Sequence, residues 1–306
     1  MITTFRDNWY TWNYGDQAVH GRQTSDNLPF RVNFSKYHEP VRDFKQELIL
    51  AAQSTRDYYP DLKPSLIFSG GMDSEVMLRS YLAAGIDFDV YIFRYEDDLN
   101  LYDVSYAITI CSMLGVPYRL LDFKIYDFYE NHAEGIAELA QLDIPQTLPL
   151  CRMLDLVDGL PITGCGELLI LRHNSEYSQE GIWNLCFEEY ETGWAKYVQA
   201  TGRPAIPSWF KWTPGLFLSF FNLDWCTNLI NDRYTRHTMP QQSKIDGYRE
   251  AYPDLIFRHK KDGFEDLTQL IKEFDDFLFK KNQGLRYRQT VNMSIVDVCN
   301  IMESVL

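Results

Sequence analysis

Two rhythms of apolar residues alternate between residues 64 and 164. Short continuous runs read as buried strands, and stretches with apolar side chains every three or four positions read as helices. "SLIFSG" from Ser65 is the first strand, bounded by Pro64 and two glycines. Ser74 to Ala84 follows as a helix closed by Gly85. "FDVYIFRY", residues 88–95, is a second strand, and Val104, Ala107, Ile108, Cys111 and Leu114 form a helical stripe that stops at Gly115. "YRLLDF", 118–123, is a third strand, a helix is expected over much of 125–141, and "LPITG", 160–164, is a short fourth strand. Strands alternating with helices predict an α/β fold, a twisted parallel sheet with right-handed crossovers and flanking helices. Ligands bind such sheets at the carboxyl ends of the strands. The glycine turns at 70–71 and 164–166 both fall at such ends, so two polar loops are expected to face one crevice.

The flanks have a different texture. Residues 1–39 are rich in aromatics and turn formers, as in "DNWYTWNYGDQ", and predict short strands or an extended arm. Residues 40–57 read as a helix with Pro40 in its first turn and Val41, Phe44, Leu48, Ala51 and Ala52 on one face. Between Trp183 and Tyr234 lie thirteen aromatics, five of the seven tryptophans among them. Leu267, Leu270, Ile271, Phe274, Phe277 and Leu278 mark an amphipathic helix, and 294–305 marks another. The expected division is an arm or small β element over 1–39, an α/β core over 40–180, and a mostly helical, aromatic-rich region over 181–306 that completes the substrate site.

Composition narrows the class. With 45% hydrophobic, 15% aromatic and 24% charged residues, the 306-residue chain is globular. No apolar run approaches the roughly 18 residues of a membrane span, and the first ten residues hold no apolar signal core, so an intracellular, cytoplasmic protein is expected. A formal net charge of -14 argues against a polyanion such as tRNA or DNA; Lys260-Lys261 and Arg286/Arg288 are small basic clusters in an acidic whole. The six cysteines form no C-x-x-C pair and have no zinc spacing, and the histidines, His132 and His237 among them, have no triad or H-E-x-x-H spacing.

The candidate chemistry lies in Ser69-Gly70-Gly71-Met72-Asp73-Ser74. The two glycines permit positive φ and close backbone approach. Successive N–H groups after them form an anion-binding concavity, reinforced by the positive end of the following helix. Ser69 and Ser74 add hydroxyl donors. Asp73 would repel phosphate unless a divalent cation bridges the two, which implies Mg2+. The simpler alternative is a strand–turn–helix in which Asp73 or Ser74 only caps the helix. The phosphate-binding lysine loop G-x-x-x-x-G-K-[ST] is absent, which disfavours γ-phosphate transfer.

This hexapeptide closely resembles the PP-loop of the N-type ATP pyrophosphatases, a group that includes asparagine synthetase, GMP synthetase and the tRNA-lysidine and thiouridine enzymes. Three further stretches look most like the synthetase domain of asparagine synthetase and its β-lactam synthetase relatives: "NLYDVSYAITICSMLGVPYRLLDF" from Asn100, "PITGCGELL" from Pro161, and "YPDLIFRHKKDGFEDL" from Tyr252. The resemblance spans roughly residues 40–280. It implies a ligase that cleaves ATP between the α and β phosphates. A substrate oxygen, such as a carboxylate, is adenylated, and ammonia or an amine then displaces AMP. By similarity, Ser69, Gly70, Gly71, Asp73 and Ser74 would hold pyrophosphate and Mg2+. Phe68 and the strand end at Phe93-Arg94 would frame adenine and ribose through backbone contacts, and Thr163-Gly164 would supply a second nucleotide contact. Lys261, or Lys260, matches the family's active-site lysine, which would stabilise charge on the α-phosphate; Arg94 and Arg258 either touch phosphate or pair with surface acids. Glu167 is assigned to Mg2+ or to the second step.

The resemblance has gaps. Where asparagine synthetases carry an acid between the glycines of the second loop, this chain has Cys165, which reads either as a reactive thiol or, preferably, as a small buried residue. Position 2 is Ile rather than a glutaminase nucleophile, so the nitrogen donor is expected from outside the chain. Two other readings are kept: a nucleobase- or tRNA-modifying enzyme, and a non-catalytic nucleotide-binding protein. Trp209, Phe210, Trp212 and Trp225 either form helical core or wall the substrate pocket, with "KWTPG" as a mobile turn, and His173, Asn174 and Glu176 are further candidates for facing substrate. Stand-alone domains of this kind also occur in phage genomes, so the origin stays open, as do the substrate and oligomeric state.

Overall fold

In the computed structural model, residues 4–15, 28–168, 170–173, 182–224, 241–259 and 261–302 are described. Four parallel strands, β3 (Pro64–Ile67), β4 (Asp89–Tyr95), β5 (Arg119–Phe123) and β6 (Leu160–Thr163), form the central sheet in the order β5-β4-β3-β6. The chain runs outward from β3 through β4 to β5 and then returns to place β6 on the opposite flank of β3. The connections leaving β3 and β6 therefore diverge, and the crevice between them is the switch point at which such sheets bind ligands.

Strand periodicity decides what covers each face. Leu66 and Phe68, with Val90 and Ile92, point into one core cluster together with α1 (Phe44–Tyr58), α2 (Met72–Ala84) and α3 (Leu101–Leu114). Ile67, Tyr91 and Phe93 point the other way, into a second cluster with α4 (Ile125–Asn131), α5 (Ala133–Ala140), α6 (Leu148–Leu156), α7 (Glu191–Thr201) and α10 (Thr268–Lys281). Alternate residues of one strand thus serve two cores, as expected of a parallel sheet covered on both faces.

The helices start and stop for local reasons. Asp43 caps α1, its carboxylate accepting from the Gln46 N–H at 2.9 Å, so the helix begins at Phe44 and Val41 lies ahead of it. Helices α2 and α3 end at left-handed Gly85 and Gly115, as the pattern predicted. The expected helix over 125–141 is broken at His132, whose φ of -128° separates α4 from α5.

The described residues of the second half are mostly helical, as expected, and the structure adds an element that the sequence did not announce. A three-stranded antiparallel sheet, β7 (Ile170–His173), β8 (Ile182–Glu188) and β9 (Thr290–Ser294), is ordered β7-β8-β9. It precedes a short α11 (Ile295–Ile301) capped by Ser294. The N-terminal residues form an antiparallel hairpin, β1 (Tyr10–Tyr14) with β2 (Phe30–Phe34). Its Trp9, Tyr10 and Phe34 pack on Phe187 of β8 and Phe217 of α8 (Pro214–Ser219), inside the first core cluster. "KWTPG" is the start of α8: Thr213 accepts from the Leu216 N–H at 3.2 Å and Pro214 takes the first helical position, where its missing N–H costs nothing. Trp209 and Trp212 are fully buried core residues.

The basic pair Arg286/Arg288 forms no phosphate-binding patch. Arg286 makes a two-pronged contact with Asp275, and Arg288 bonds buried Asp143 at 3.2 Å. No described helix is long and apolar enough to cross a membrane.

Burial of tyrosines has a consequence for alkaline stability. It pushes the Tyr37 and Tyr59 phenols up to about 12, and raises those of Tyr10, Tyr81 and Tyr95 as well. The unfolded chain releases these protons near pH ~10 while the folded chain retains them. Their stabilisation is therefore complete below ~10 and falls as pH rises toward the folded values. In an alkaline titration, phenolate absorbance of these groups and loss of far-ultraviolet dichroism should move together. Their complete ionisation with dichroism intact would contradict the packing.

Candidate active site

The first glycine loop leaves the sheet at β3. The Phe68 N–H donates to the Tyr91 carbonyl at 2.8 Å, holding buried Phe68 in line with the strand. Gly70 then turns with φ +80°, and a Cβ there would lie 2.5 Å from the Asp103 carbonyl oxygen and 2.9 Å from the Ala107 nitrogen. Only a residue without a side chain lets the loop touch the backbone of α3. Gly71 differs from expectation: it is the N-cap of α2 in extended conformation, φ -73° and ψ 163°, so a single left-handed glycine makes the turn. The Ser69 and Ser74 hydroxyls lie 3.1 Å apart, the Gly71 N–H donates to Ser69 Oγ at 3.3 Å, and Ser74 Oγ donates to the Gly71 carbonyl at 2.9 Å. Two hydroxyls and the amino end of a thirteen-residue helix thus share one mouth.

The second loop meets the first. At Gly164, immediately after β6, a Cβ would stand 2.7 Å from Ser74 Cα and 2.9 Å from its nitrogen, so the backbone packs directly on the start of α2. Thr163 is buried and its hydroxyl donates to the Pro207 carbonyl at 2.6 Å, so that group anchors the strand end. Cys165 and Glu167 follow, both half-buried; the Cys165 carbonyl accepts from the Phe210 N–H at 3.2 Å.

A segment from the far half of the chain runs along α2. Tyr248, on α9 (Gln241–Ala251), donates its hydroxyl to Asp73 Oδ1 at 2.5 Å. One turn on, the Tyr252 hydroxyl lies 3.0 Å from that of Ser80. Buried Arg258 pairs with buried Glu75, which also holds Arg79 at 2.8 Å, and Arg79 bonds Asp254 at 2.9 Å. The Lys261 N–H donates to Asp103 Oδ1 at 3.1 Å, beside the start of α3, and Phe264 meets the Tyr95 ring at 5.9 Å. The loop bearing exposed Lys261 is thereby held at the carboxyl end of the sheet, close to the Gly70 turn. Arg258 is committed to Glu75, and Arg94 pairs with Asp122 at 2.6 Å, so the two arginines pair with acids. Phe93 is buried at the end of β4, where its carbonyl accepts from the Asn100 amide at 2.9 Å. Lys260, Asn174, Glu176, Trp225 and His237 lie outside the described residues, as does the side chain of His173.

The electrostatics join the two loops. Burial, then the charges of Asp73 and Glu167, drives the Tyr248 phenol well above its ordinary value, so it stays a donor at all physiological pH. Glu167 also helps to raise the Tyr190 phenol and the buried Glu191 carboxyl, each shifted first by burial; Lys211 pairs with Glu191 and opposes the rise in that carboxyl. The charge of Glu167 is therefore felt both at Tyr248, the partner of Asp73, and at the buried Glu191 that pairs with Lys211. No group of three or more ligating side chains exists among the described residues. Asp73 and Glu167 are hard oxygen donors of the kind Mg2+ takes, one or two carboxylates at a time with phosphate and water completing its shell.

No family model matches the chain. Over 81 residues it is 31% identical to 7-cyano-7-deazaguanine synthase of Alteromonas mediterranea, covering 26% of this chain and 35% of that protein. Over 59 residues it is 37% identical to 7-cyano-7-deazaguanine synthase 2 of Colwellia psychrerythraea, covering 19% of this chain and 26% of that one. In these stretches the chain is similar to members of the PP-loop ATP pyrophosphatase superfamily, and its described core is an α/β fold. The chain spans about a third or less of the length of the curated relatives it matches. Two solved structures are similar to the chain at a lower level. NMN synthetase from Francisella tularensis has a TM-score of 0.30 at 17% identity, over 41% of this chain and 54% of that one. Glutamine-dependent NAD+ synthetase from Acinetobacter baumannii has a TM-score of 0.34 at 13% identity, over 84% and 48%.

Tyr248 carried no signal in the sequence. It belongs to no motif, and its partner lies 175 residues away. Asp103, which meets the Gly70 turn and the Lys261 N–H, and Asn100, which closes the end of β4, lie in the stretch that resembled the family, but nothing in their spacing announced those contacts.

Proposed function

We propose that this protein binds ATP with Mg2+ in the mouth between the two glycine loops and adenylates a small-molecule carboxylate or similar oxygen. Pyrophosphate is released, and ammonia or an amine then displaces AMP. The observation that carries the reading is the packing of Gly164 on the start of α2, which sets the second loop against the helix end bearing Asp73 and Ser74, with the Ser69 hydroxyl beside that of Ser74. Helix dipole and N–H groups suit the β and γ phosphates. Asp73 and Glu167 would hold the cation, which when bound would neutralise the departing pyrophosphate. Lys261 would reach the α-phosphate from the neighbouring loop, stabilising charge that develops there. Phe68 and the strand end at Phe93 would frame the adenosine. The asparagine-synthetase-like type is the finer part of the proposal and rests on the segments from Asn100, Pro161 and Tyr252.

A second reading has an observation of its own. Both curated relatives are named for a deazapurine nitrile, which favours a purine-like base as the activated molecule in place of an amino-acid-like carboxylate.

Hydroxylamine trapping distinguishes an acyl adenylate from mere nucleotide binding. With ATP, Mg2+ and pools of amino-acid-like or purine-like carboxylic acids, the account expects an ATP-dependent hydroxamate from one pool. Tight ATP binding with no hydroxamate and no pyrophosphate from any pool would favour a non-catalytic nucleotide-binding protein.

A further inference from the structure

We infer that Tyr248 is a positioning residue for the divalent cation, its hydroxyl fixing the Asp73 carboxylate in the orientation from which it binds metal. The inference rests on the nucleotide reading above.

The contact has the geometry of a strong bond. At 2.5 Å from Asp73 Oδ1, the Tyr248 hydroxyl makes a short hydrogen bond to an ionised acceptor. Such bonds are about twice as strong as neutral ones. The donor is itself immobile. Tyr248 is fully buried, stacked on Phe210 at 5.7 Å and 18° and parallel to Phe44 at 6.2 Å and 4°. Phe210 bonds the second loop through Cys165, and Phe44 opens α1. The phenol therefore takes its position from the second loop and from α1, and delivers it to the first loop.

Simple helix capping does not account for this arrangement. The N-cap of α2 is Gly71, which has no side chain, while Asp73 takes a partner from a helix 175 residues away. Tyr252, the residue just past the end of α9, bonds Ser80 farther along α2, so α9 and its exit are pinned to α2 at two points. Structure alone would be served by the second pin. The first pin falls on the one residue of the loop whose charge conflicts with phosphate. Metal-ligating carboxylates ordinarily depend on an outer partner of this kind, whose loss lowers metal affinity about 10- to 100-fold.

The test is Tyr248→Phe, which removes one hydroxyl and keeps both ring contacts. Mn2+ is titrated into protein saturated with α,β-methylene ATP, and free ion is read by electron paramagnetic resonance. Nucleotide affinity is measured separately in EDTA. The expected result is a Mn2+ Kd raised about tenfold, with metal-free nucleotide affinity and melting temperature close to those of the parent. Equal Mn2+ affinity in the two proteins overturns the inference. So does a parallel loss of metal-free nucleotide affinity, the mark of a general structural role. If the parent binds nucleotide in EDTA but takes up no Mn2+ with it, the cation role fails and the nucleotide reading stands. If the parent binds neither, the nucleotide reading fails and the inference falls with it.

Discussion

Gly70→Ala should lower the stability of the protein by about 2–5 kcal/mol and abolish nucleotide binding. A left-handed conformation costs an alanine about 1–2 kcal/mol, and overpacking adds about 1–3 kcal/mol. The overpacking is unavoidable here because the added Cβ would meet the Asp103 carbonyl at 2.5 Å and the Ala107 nitrogen at 2.9 Å, both backbone atoms of α3 that no rotamer change can move. Relief requires the loop to lift off α3, which would carry Ser69 and the start of α2 away from the second loop. Gly135→Ala is the control. It lies inside α5 with nothing within 4 Å of the added carbon, so alanine should raise stability by about 0.5–1 kcal/mol. Chemical denaturation measures both; equal stability of Gly70→Ala and the parent would contradict the described turn.

The second large effect separates charge from structure at Asp73. Asp73→Ala removes the short hydrogen bond that ties the buried phenol to the start of α2, and a hydrogen bond to a charged group contributes about 1.5–3 kcal/mol. This variant should lose both stability and nucleotide-dependent metal binding. Asp73→Asn keeps an oxygen that can accept from Tyr248 at the same position. Its melting temperature should stay near that of the parent, while turnover falls about a hundredfold or more, the scale expected when one charge-stabilising group is lost. If Asp73→Asn melts like Asp73→Ala, the charge matters for folding; if it turns over like the parent, Asp73 is no metal ligand.

The sheet was legible because its signals are local. Each of β3 to β6 is a short apolar run, and the turns that follow β3 and β6 hold the glycines that shape the two loops. The helical stripe from Val104 to Leu114 and its stop at Gly115 needed one turn of context each. Contacts far apart in the chain were not legible. Strand β8 pairs with β9 about a hundred residues later, and "TVNMS" has too little apolar character to declare itself a strand. The aromatic run from Trp183 read as helical core, and most of its described members are that, Trp194, Tyr197, Trp209 and Phe217 among them, while Phe187 reaches the core from β8. The break at His132 follows no proline or glycine. Tyr248 is the same problem at the site: a tyrosine in a polar helix acquires a role only when the fold sets it against Asp73. Of the two adjacent glycines, sequence alone could not say that Gly70 alone turns left-handed.

The central claim is cleavage of ATP between its α and β phosphates in the mouth shared by the two glycine loops. The direct measurement uses ATP labelled at the α and γ positions, incubated with the protein, Mg2+, ammonium and pools of candidate carboxylates and purine-like acids. The account predicts α-label in AMP and γ-label in pyrophosphate, both lost in Asp73→Asn. Label appearing in ADP and inorganic phosphate would contradict it.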